Sequence, residues 1–280
     1  MFAIVVDSSC DLQELAPDMA SKVAYVRVPL KLDVGDKEFV DDDTLEVGEF
    51  LKELYAYKGK TGSAAPSPQA WLSGFEQGDE VFAISISAQV SGSFASASLG
   101  KKLYLEQYPD RKIHLMDSKS TGSEMTLLVR KLEELIRQDL PYEEICRQID
   151  AYSRTTGLFF VLKSMENLVK NGRVSRLQGG MAKLLGIQVL GTASPEGELK
   201  VLHKCRGKLT AYDKTVEEML QRGYRGGKVV VSHCFNEDAA AYVQQKLKAL
   251  FPSCEISILP TRGLCSYYAE LGGILVGFET

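Results

Sequence analysis

The feature that most constrains the fold is a strand, a polar turn and a helix start in direct succession. The apolar run Val81–Ile84 leads into a turn rich in serine and glycine, and small residues follow it. The first amides of a helix have no intrahelical partner, and the helix dipole places about half a positive charge there. Ser91 and Ser93 add hydroxyl donors, and Gly92 lets a ligand approach the backbone closely. The stretch therefore predicts a site for one small anion, a carboxylate or a phosphate, although Ser91 as a simple helix cap is the alternative.

Two further polar turns follow apolar runs that are typical of buried strands. Asp7-Ser8-Ser9 follows Phe2–Val6, and a second Asp-Ser turn, Asp117–Gly122, follows Lys112–Met116. The segments between these runs have apolar residues three and four positions apart, a pattern that predicts helices. The alternation of strands and helices predicts a mainly parallel sheet with helices on both faces. The carboxyl ends of parallel strands meet at one edge, where ligands bind in open sheets. Residues in the three turns are therefore expected to support the site: Asp7, Ser8, Ser87, Asp117 and Ser118.

The chain has 280 residues, which is too long for one typical domain and predicts two. We expect an N-terminal α/β domain over residues 1–156, with a mostly parallel sheet flanked by helices, and a smaller C-terminal α/β domain over residues 157–280. In the first half, Tyr25–Leu32 alternates apolar with polar residues and predicts one strand. In the second half, Gly179–Leu185 predicts a short element rich in small residues.

Two more segments carry groups that suit an anion. Lys60–Pro68 is predicted to be a loop of small and helix-breaking residues, with hydroxyls at Thr61, Ser63 and Ser67. Arg173 follows a short predicted helix. Arginine binds anions well because its planar guanidinium offers parallel donors, and an ordinary surface arginine is the alternative.

Composition excludes several classes of protein. The net charge is −4 and the basic residues are scattered, which argues against a nucleic-acid-binding face. No apolar run approaches the roughly 20 residues that cross a bilayer. The six cysteines form no C-x-x-C pair and predict reduced thiols in a cytoplasmic protein. The three histidines lie in separate segments without metal-ligand spacing, so no metal site is predicted.

The sequence also lacks the common signatures of catalysis. It contains no G-x-x-x-x-G-K-S/T phosphate loop, no G-x-G-x-x-G turn after the first strand, and no G-x-S-x-G nucleophile turn. Hydroxyls and amides without an evident base or metal suit the binding of an anion better than its transformation.

Five short motifs resemble those of the DegV family of Gram-positive bacteria, in the same order. Val6–Leu12 is similar to the T-D-S-x-x-D-L turn of that family, and Pro66-Ser67-Pro68 to the end of its T-S-Q-P-S-P loop. Ser87–Ala97 is similar to S-S-x-L-S-G-T-Y-Q-S-A, Asp117–Gly122 to D-S-x-x-x-x-G, and Asn171–Ser175 to G-G-R-I-S. No single motif is specific, but together they span the chain, which is on this basis identified as a member of the family.

The resemblance implies a non-catalytic carrier that binds one long-chain fatty acid, such as palmitate or oleate, in a cleft and apolar tunnel between its two domains. Some members of the family present the fatty acid to a separate kinase, which phosphorylates the carboxylate. No other cofactor is implied. By matching positions, the resemblance implies these ligands for the carboxylate: Ser63, Ser91, Gly92, Ser93 and Arg173.

The chain departs from the family pattern in two places. Ala64 and Ala65 replace a Ser-Gln pair, and the segment Arg262–Glu270 lacks the histidine that many members carry near the C-terminus. Whether the protein serves a kinase is therefore left open. Two alternatives also stay open: a phosphotransfer enzyme related to dihydroxyacetone kinases, whose domain arrangement the family resembles, and a regulatory protein whose domains close on a lipid.

Overall fold

The computed structural model describes residues 1–175 and 186–280, which form three β-sheets and the helices that cover them. In chain order the strands are β1 (Phe2–Asp7), β2 (Val23–Val28), β3 (Lys31–Val34), β4 (Lys37–Val40), β5 (Thr61–Ala64), β6 (Glu80–Ser85), β7 (Lys112–Asp117), β8 (Thr156–Leu162), β9 (Ile187–Ala193), β10 (Leu199–Arg206), β11 (Val229–His233), β12 (Ile256–Pro260) and β13 (Ile274–Glu279). The helices are α1 (Pro17–Ala20), α2 (Val47–Ala56), α3 (Pro68–Phe75), α4 (Ser93–Gln107), α5 (Gly122–Arg137), α6 (Tyr142–Tyr152), α7 (Glu166–Lys170), α8 (Lys208–Gln221), α9 (Glu237–Leu250) and α10 (Gly263–Ala269).

The N-terminal sheet confirms the predicted fold class. Its strands run in the order β2-β1-β6-β7, and every neighbouring pair is parallel. Successive side chains of a strand point to opposite faces, so the buried residues of β1 belong to two different cores. Val5 lies in a cluster with Trp71 of α3, and Ile4 lies in a cluster with Leu128 of α5. Helices therefore cover both faces of this sheet.

The three polar turns meet at one edge of the N-terminal sheet, as the parallel order requires. The carboxylate of Asp7, at the end of β1, accepts a hydrogen bond from the Ile86 N–H at 2.9 Å. The carboxylate of Asp117, at the end of β7, accepts one from the Ala88 N–H at 3.2 Å. The turn after β6 is thus fixed from both sides by aspartates at the ends of its neighbouring strands.

The C-terminal sheet has six strands in the order β10-β9-β8-β13-β11-β12 and is mostly antiparallel. Helices α8 and α9 cover one face, and α5 packs against β8, β11 and β13 on the other. The Ser123 hydroxyl at the start of α5 donates to the Leu275 carbonyl at 3.0 Å. A Cβ on Gly277 would lie 2.6 Å from the backbone nitrogen of Glu124, so glycine permits this close approach. Helix α5 thus packs against the C-terminal sheet while it also covers the N-terminal one.

A small third sheet, in the order β4-β3-β5, corrects two predictions. The single strand predicted over Tyr25–Leu32 is two strands in different sheets, because Pro29 lies between β2 and β3. Proline has no N–H for a sheet ladder and fixes its own φ, so it interrupts the strand. The loop predicted over Lys60–Pro68 contains β5, whose Ser63 pairs with Leu32 of β3.

The short element predicted over Gly179–Leu185 lies outside the described residues. No helix within the described ranges is long and apolar enough to cross a bilayer.

Candidate functional site

The turn between β6 and α4 leaves donor groups unused. The Ser91 Oγ accepts a hydrogen bond from the Ser93 N–H at 3.2 Å, and Gly92, which has no side chain to accept from the first helical amides, occupies the N-cap position of α4. Within the described residues, the Ser91 hydroxyl hydrogen and the Gly92 N–H form no hydrogen bond. Ser91 is half-buried and Gly92 is exposed. Both groups are therefore available to an anion at the start of the helix.

Asp7 fixes the two ends of this turn by hydrogen bonds to its side chain. Its fully buried carboxylate accepts hydrogen bonds from the Ser93 hydroxyl at 2.6 Å, the Ile86 N–H at 2.9 Å and the Ser9 hydroxyl at 2.5 Å. Burial raises the pKa of Asp7, and these hydrogen bonds offset part of the increase. The side chain of Ser93 thus points to Asp7, and its amide is engaged by Ser91. Both the hydroxyl and the amide of Ser93, a predicted ligand, therefore have partners within the protein.

The remaining turn residues also have structural partners. The Ser8 Oγ accepts the Leu30 N–H at 3.0 Å, and the Ser118 hydroxyl donates to the Ser120 carbonyl at 3.1 Å. The Ser87 hydroxyl donates to the Gly197 carbonyl at 2.7 Å and so joins the N-terminal turn to the hairpin between β9 and β10. Each of these serines therefore stabilises the edge of the sheet.

Ser63 contacts, through its hydroxyl, a helix from the C-terminal part of the chain. Its Oγ lies 2.8 Å from the hydroxyl of Tyr268 on α10, which is 205 residues away. At the start of the same strand, the Thr61 Oγ1 lies 2.8 Å from the hydroxyl of Tyr267. The Tyr267 hydroxyl also accepts a hydrogen bond from the Asn171 Nδ2 at 2.8 Å. Two hydroxyl pairs therefore attach β5 to α10.

The first turn of helix α10 is fixed by Asp41, which precedes it by 222 residues. The buried carboxylate of Asp41 accepts the N–H groups of Gly263 and Leu264 at 2.9 and 2.8 Å. A carboxylate there satisfies the first free amides of the helix and is favoured by its dipole. The sequence favours Asp41 as a negative charge ahead of α2, whereas its carboxylate bonds the start of α10. No local pattern indicates Tyr267 or Tyr268, since their partners are distant in sequence.

Arg173 reaches from the C-terminal half to the serine turn. Its Nε donates to the Val90 carbonyl at 3.2 Å, and its Nη1 donates to the Asn171 carbonyl. Its Nη2 forms no hydrogen bond among the described residues and remains available to a ligand. The guanidinium is therefore held directly beside the turn that contains Ser91.

These groups line one cavity of about 860 Å³, part of it open to solvent. The polar members of its wall include Ser63, Ser91, Gly92, Arg173 and Tyr268. Ser63 contacts Tyr268, and Arg173 contacts the Val90 carbonyl next to Ser91. Much of the remaining wall is apolar and comes from both halves: Leu30, Leu158, Phe160, Leu162, Leu168 and Leu275.

The cavity chemistry fits an amphipathic anion. No group of His, Cys, Asp and Glu side chains suited to a metal ion occurs in the part of the chain that the structure describes. Cys265 also lines the cavity, but burial raises the pKa of its thiol well above the usual value. It therefore stays protonated at neutral pH, and a thiol is a poor nucleophile.

Comparison with known proteins agrees with the motifs noted in the sequence. A family model described as an uncharacterised protein of the DegV family matches residues 1–279. A DegV domain-containing protein of Streptococcus pneumoniae is 43% identical over 276 residues, which covers 99% of this chain and 98% of that protein. A DegV domain-containing protein of Streptococcus gordonii is 41% identical with the same coverage.

Solved structures resemble the chain over its whole length. The Streptococcus pneumoniae fatty acid kinase (Fak) B3 protein, loaded with linoleic acid, has 43% identity and a TM-score of 0.97, with 99% of each chain covered. A DegV family protein from Eubacterium eligens, loaded with heptadecanoic acid, has 38% identity and a TM-score of 0.96, with 100% of each chain covered. The full-length family match and the 43% identity show that this chain belongs to the DegV family.

Proposed function

We propose that the protein binds one long-chain fatty acid, with the carboxylate at Ser63, Ser91, Gly92 and Arg173 and the acyl chain in the apolar cavity. The observation that carries this proposal is that hydroxyl, amide and guanidinium donors line a cavity whose wall is otherwise largely apolar. The fatty acids in the solved structures of two relatives support it. The ligand then lies between residues 1–156 and 157–280, and the start of β8 at Thr156 supports this boundary.

The two parts of the cavity contribute differently to binding. A hydrogen bond to a charged group contributes about 1.5–3 kcal/mol, so the polar groups orient the carboxylate. Each buried methylene contributes about 0.8 kcal/mol, so a long acyl chain gains on the order of 12 kcal/mol before the costs of association are subtracted. The acyl chain therefore supplies most of the affinity.

The same residues favour a carrier over an enzyme. The head-group site holds hydroxyls, amides and a guanidinium, and these groups bind a carboxylate without activating it for reaction. The relative named as fatty acid kinase (Fak) B3 supports a role as the fatty-acid-binding partner of a kinase. We therefore propose that chemistry on the bound carboxylate belongs to a separate protein.

We also propose that the protein resides in the cytoplasm. All six cysteines are free thiols, and five of them are buried. Unpaired cysteines in this number are typical of a reducing compartment.

The direct test is to denature the purified protein and analyse the released lipid by mass spectrometry. One fatty acid per chain is expected. Delipidated protein is then titrated with palmitate and oleate, and saturable binding of at least one is expected. Protein that repeatedly carries no fatty acid and binds neither would exclude the proposed function.

The head-group assignment is tested with the double variant Ser63→Ala/Ser91→Ala. Two charge-assisted hydrogen bonds are lost, so the affinity for oleate should fall by more than about tenfold. Ser67→Ala is the matched control, because Ser67 follows the same strand but does not line the cavity. Its Oγ accepts the Ala70 N–H as the N-cap of α3. An unchanged affinity in the double variant would mean that the carboxylate binds elsewhere.

Calorimetric titration with ATP and Mg²⁺ addresses the phosphotransfer alternative. We expect no heat of binding with the chain alone. Saturable binding of ATP would contradict the carrier proposal and favour an enzyme.

A further inference from the structure

We propose that Tyr268 is a positioning residue for Ser63: its hydroxyl donates to the Ser63 Oγ and leaves the single hydroxyl hydrogen of Ser63 for the ligand carboxylate. This inference rests on the proposed function and names a residue that the motifs of the sequence do not assign. It starts from the 2.8 Å contact between the two hydroxyls and from their shared position in the cavity wall.

The direction of this hydrogen bond follows from the charge of the ligand. A serine hydroxyl has one hydrogen to donate, whereas a carboxylate can only accept. With a carboxylate bound, Ser63 must donate to it and can only accept from Tyr268. In the unliganded protein the opposite direction is equally allowed, and Ser63 would then be unable to donate to an anion. The bound carboxylate therefore sets the direction, and Tyr268 supplies the donor that lets Ser63 give its only hydrogen to the ligand.

Tyr268 is well suited to remain a donor. Burial raises the pKa of its phenol, and the hydrogen bond with Ser63 and the charge of Arg173 offset part of this increase. The phenol thus keeps its hydrogen throughout the neutral range. A donor that is itself part of a chain of hydrogen bonds also polarises the next one, which strengthens the bond from Ser63 to the carboxylate.

The position of Tyr268 is fixed by groups that do not touch the cavity. Its ring packs edge-on against that of Tyr267, with the centroids 4.7 Å apart. Tyr267 is fully buried and bonds to Thr61 and Asn171, and Asp41 anchors the first turn of the same helix. A rigid tyrosine lowers the entropic cost of ordering the Ser63 hydroxyl when the ligand binds.

The adjacent tyrosines provide a matched pair of variants. Tyr268→Phe removes the hydroxyl that bonds Ser63, and Tyr267→Phe removes the hydroxyl that bonds Thr61, which lies outside the cavity wall. Delipidated proteins are titrated with oleate, and urea unfolding verifies that each variant is folded. Tyr268→Phe should weaken oleate binding about three- to tenfold, and Tyr267→Phe should change it by less than about twofold.

A double-mutant cycle tests whether Tyr268 acts through Ser63. In the Ser63→Ala background, the further change Tyr268→Phe should have almost no effect on the affinity for oleate, because its target is gone. An equal loss in both backgrounds would overturn the inference, since Tyr268 would then contact the ligand itself. Equal losses from Tyr267→Phe and Tyr268→Phe would also overturn it, because helix packing alone would then be the cause.

The failure of this inference can be distinguished from the failure of the proposed function. If the unaltered protein binds no fatty acid, the proposed function fails. If it binds oleate and Ser63→Ala weakens that binding while Tyr268→Phe does not, only the role of Tyr268 is rejected.

Discussion

Two serine-containing turns lie side by side at the carboxyl edge of the parallel sheet, and their hydrogen bonds differ. In the Asp7–Ser9 turn, at the end of β1, every residue is fully buried: the Ser9 hydroxyl donates to Asp7, and the Ser8 Oγ accepts the Leu30 N–H. In the Ser87–Gly92 turn, after β6, Ser91 and Gly92 reach the cavity with donors that the described residues leave unused. The first turn therefore stabilises the fold, and the second is available to a ligand.

The difference shows how similar sequences acquire different roles. Both turns combine serine with the end of a buried parallel strand, so both looked like candidates for a ligand site. What separates them is burial: Ser8 and Ser9 are enclosed by the folded chain, whereas Ser91 and Gly92 line the cavity. Asp7 stabilises both segments, because its carboxylate accepts from Ser9 of its own turn and from Ser93 beyond the other.

The largest expected effect comes from removing the shared acceptor. Asp7→Asn replaces one carboxylate oxygen by an NH₂ group that faces the donors of Ile86 and Ser93. Buried donors without acceptors cost about 1–3 kcal/mol each, so the free energy of unfolding should fall by about 2–4 kcal/mol. Urea unfolding measures this loss, and a change smaller than about 0.5 kcal/mol, the usual size for surface substitutions, would mean that the turn does not depend on Asp7.

The site turn should respond in the opposite way to a substitution. Ser91→Ala removes a donor that the fold does not use and an Oγ that accepts only the Ser93 N–H at 3.2 Å, so the free energy of unfolding should fall by no more than about 1 kcal/mol. The affinity for oleate should fall about tenfold or more, because a hydrogen bond to a charged group is lost. Titration and urea unfolding are compared on the same preparation. A variant that loses stability but keeps its affinity would reverse the assignment of the two turns.

A pH experiment tests Asp11, which follows Asp7 in the same segment. Asp11 is buried, and its Oδ1 accepts the Arg262 N–H at 2.9 Å, while its Oδ2 has no hydrogen-bond partner among the described residues. Burial raises the pKa of Asp11 to about 6, and the Arg262 N–H offsets part of the increase. The folded protein thus holds this proton more tightly than the unfolded chain does, so stability is lost as the pH rises from about 4 to about 6.

Asp11→Asn should remove this loss. Relative to the unaltered protein, the variant should gain stability between about pH 4 and pH 6, by about 1–3 kcal/mol at neutral pH. Unfolding at a series of pH values gives the difference curve. A flat difference would show that Asp11 titrates normally, whereas Asp7→Asn is expected to destabilise the protein at neutral pH.

The smallest effect is expected at a serine that only caps a helix. Ser67 is exposed, and its Oγ accepts the Ala70 N–H at 3.2 Å at the start of α3. Ser67→Ala should cost about 1 kcal/mol of stability and leave oleate binding unchanged. A reduced affinity would extend the ligand site beyond β5 and weaken the distinction between capping and binding serines.

Local sequence patterns predicted most of the N-terminal sheet. The runs at Phe2–Val6 and Lys112–Met116 are strands, and the turns that follow them meet at one edge. The single strand predicted over Tyr25–Leu32 was wrong because Pro29 divides it between two sheets. β5 was missed because a strand of four small residues has no apolar period and forms through its pairing with β3.

The candidate site was predicted less completely than the fold. The sequence pointed to Ser63, Ser91 and Arg173, and the structure gathers them around one cavity. Ser93 carries the same kind of side chain as Ser91, and no local pattern could show that its hydroxyl bonds Asp7. Tyr268 stood in a segment noted for its lack of histidine, and its partner is 205 residues away.

The sequence by itself determined the alternation of strands and helices and the polar turns at the strand ends, because these depend on backbone hydrogen bonding and on side-chain periodicity over a few residues. The tertiary structure decided which of those polar groups still have a hydrogen bond to offer, and which leucines line a cavity and which fill a core. Both outcomes depend on contacts between distant segments, such as Asp41 with α10 and Tyr268 with Ser63. A donor is free for a ligand only when the completed fold supplies no acceptor for it.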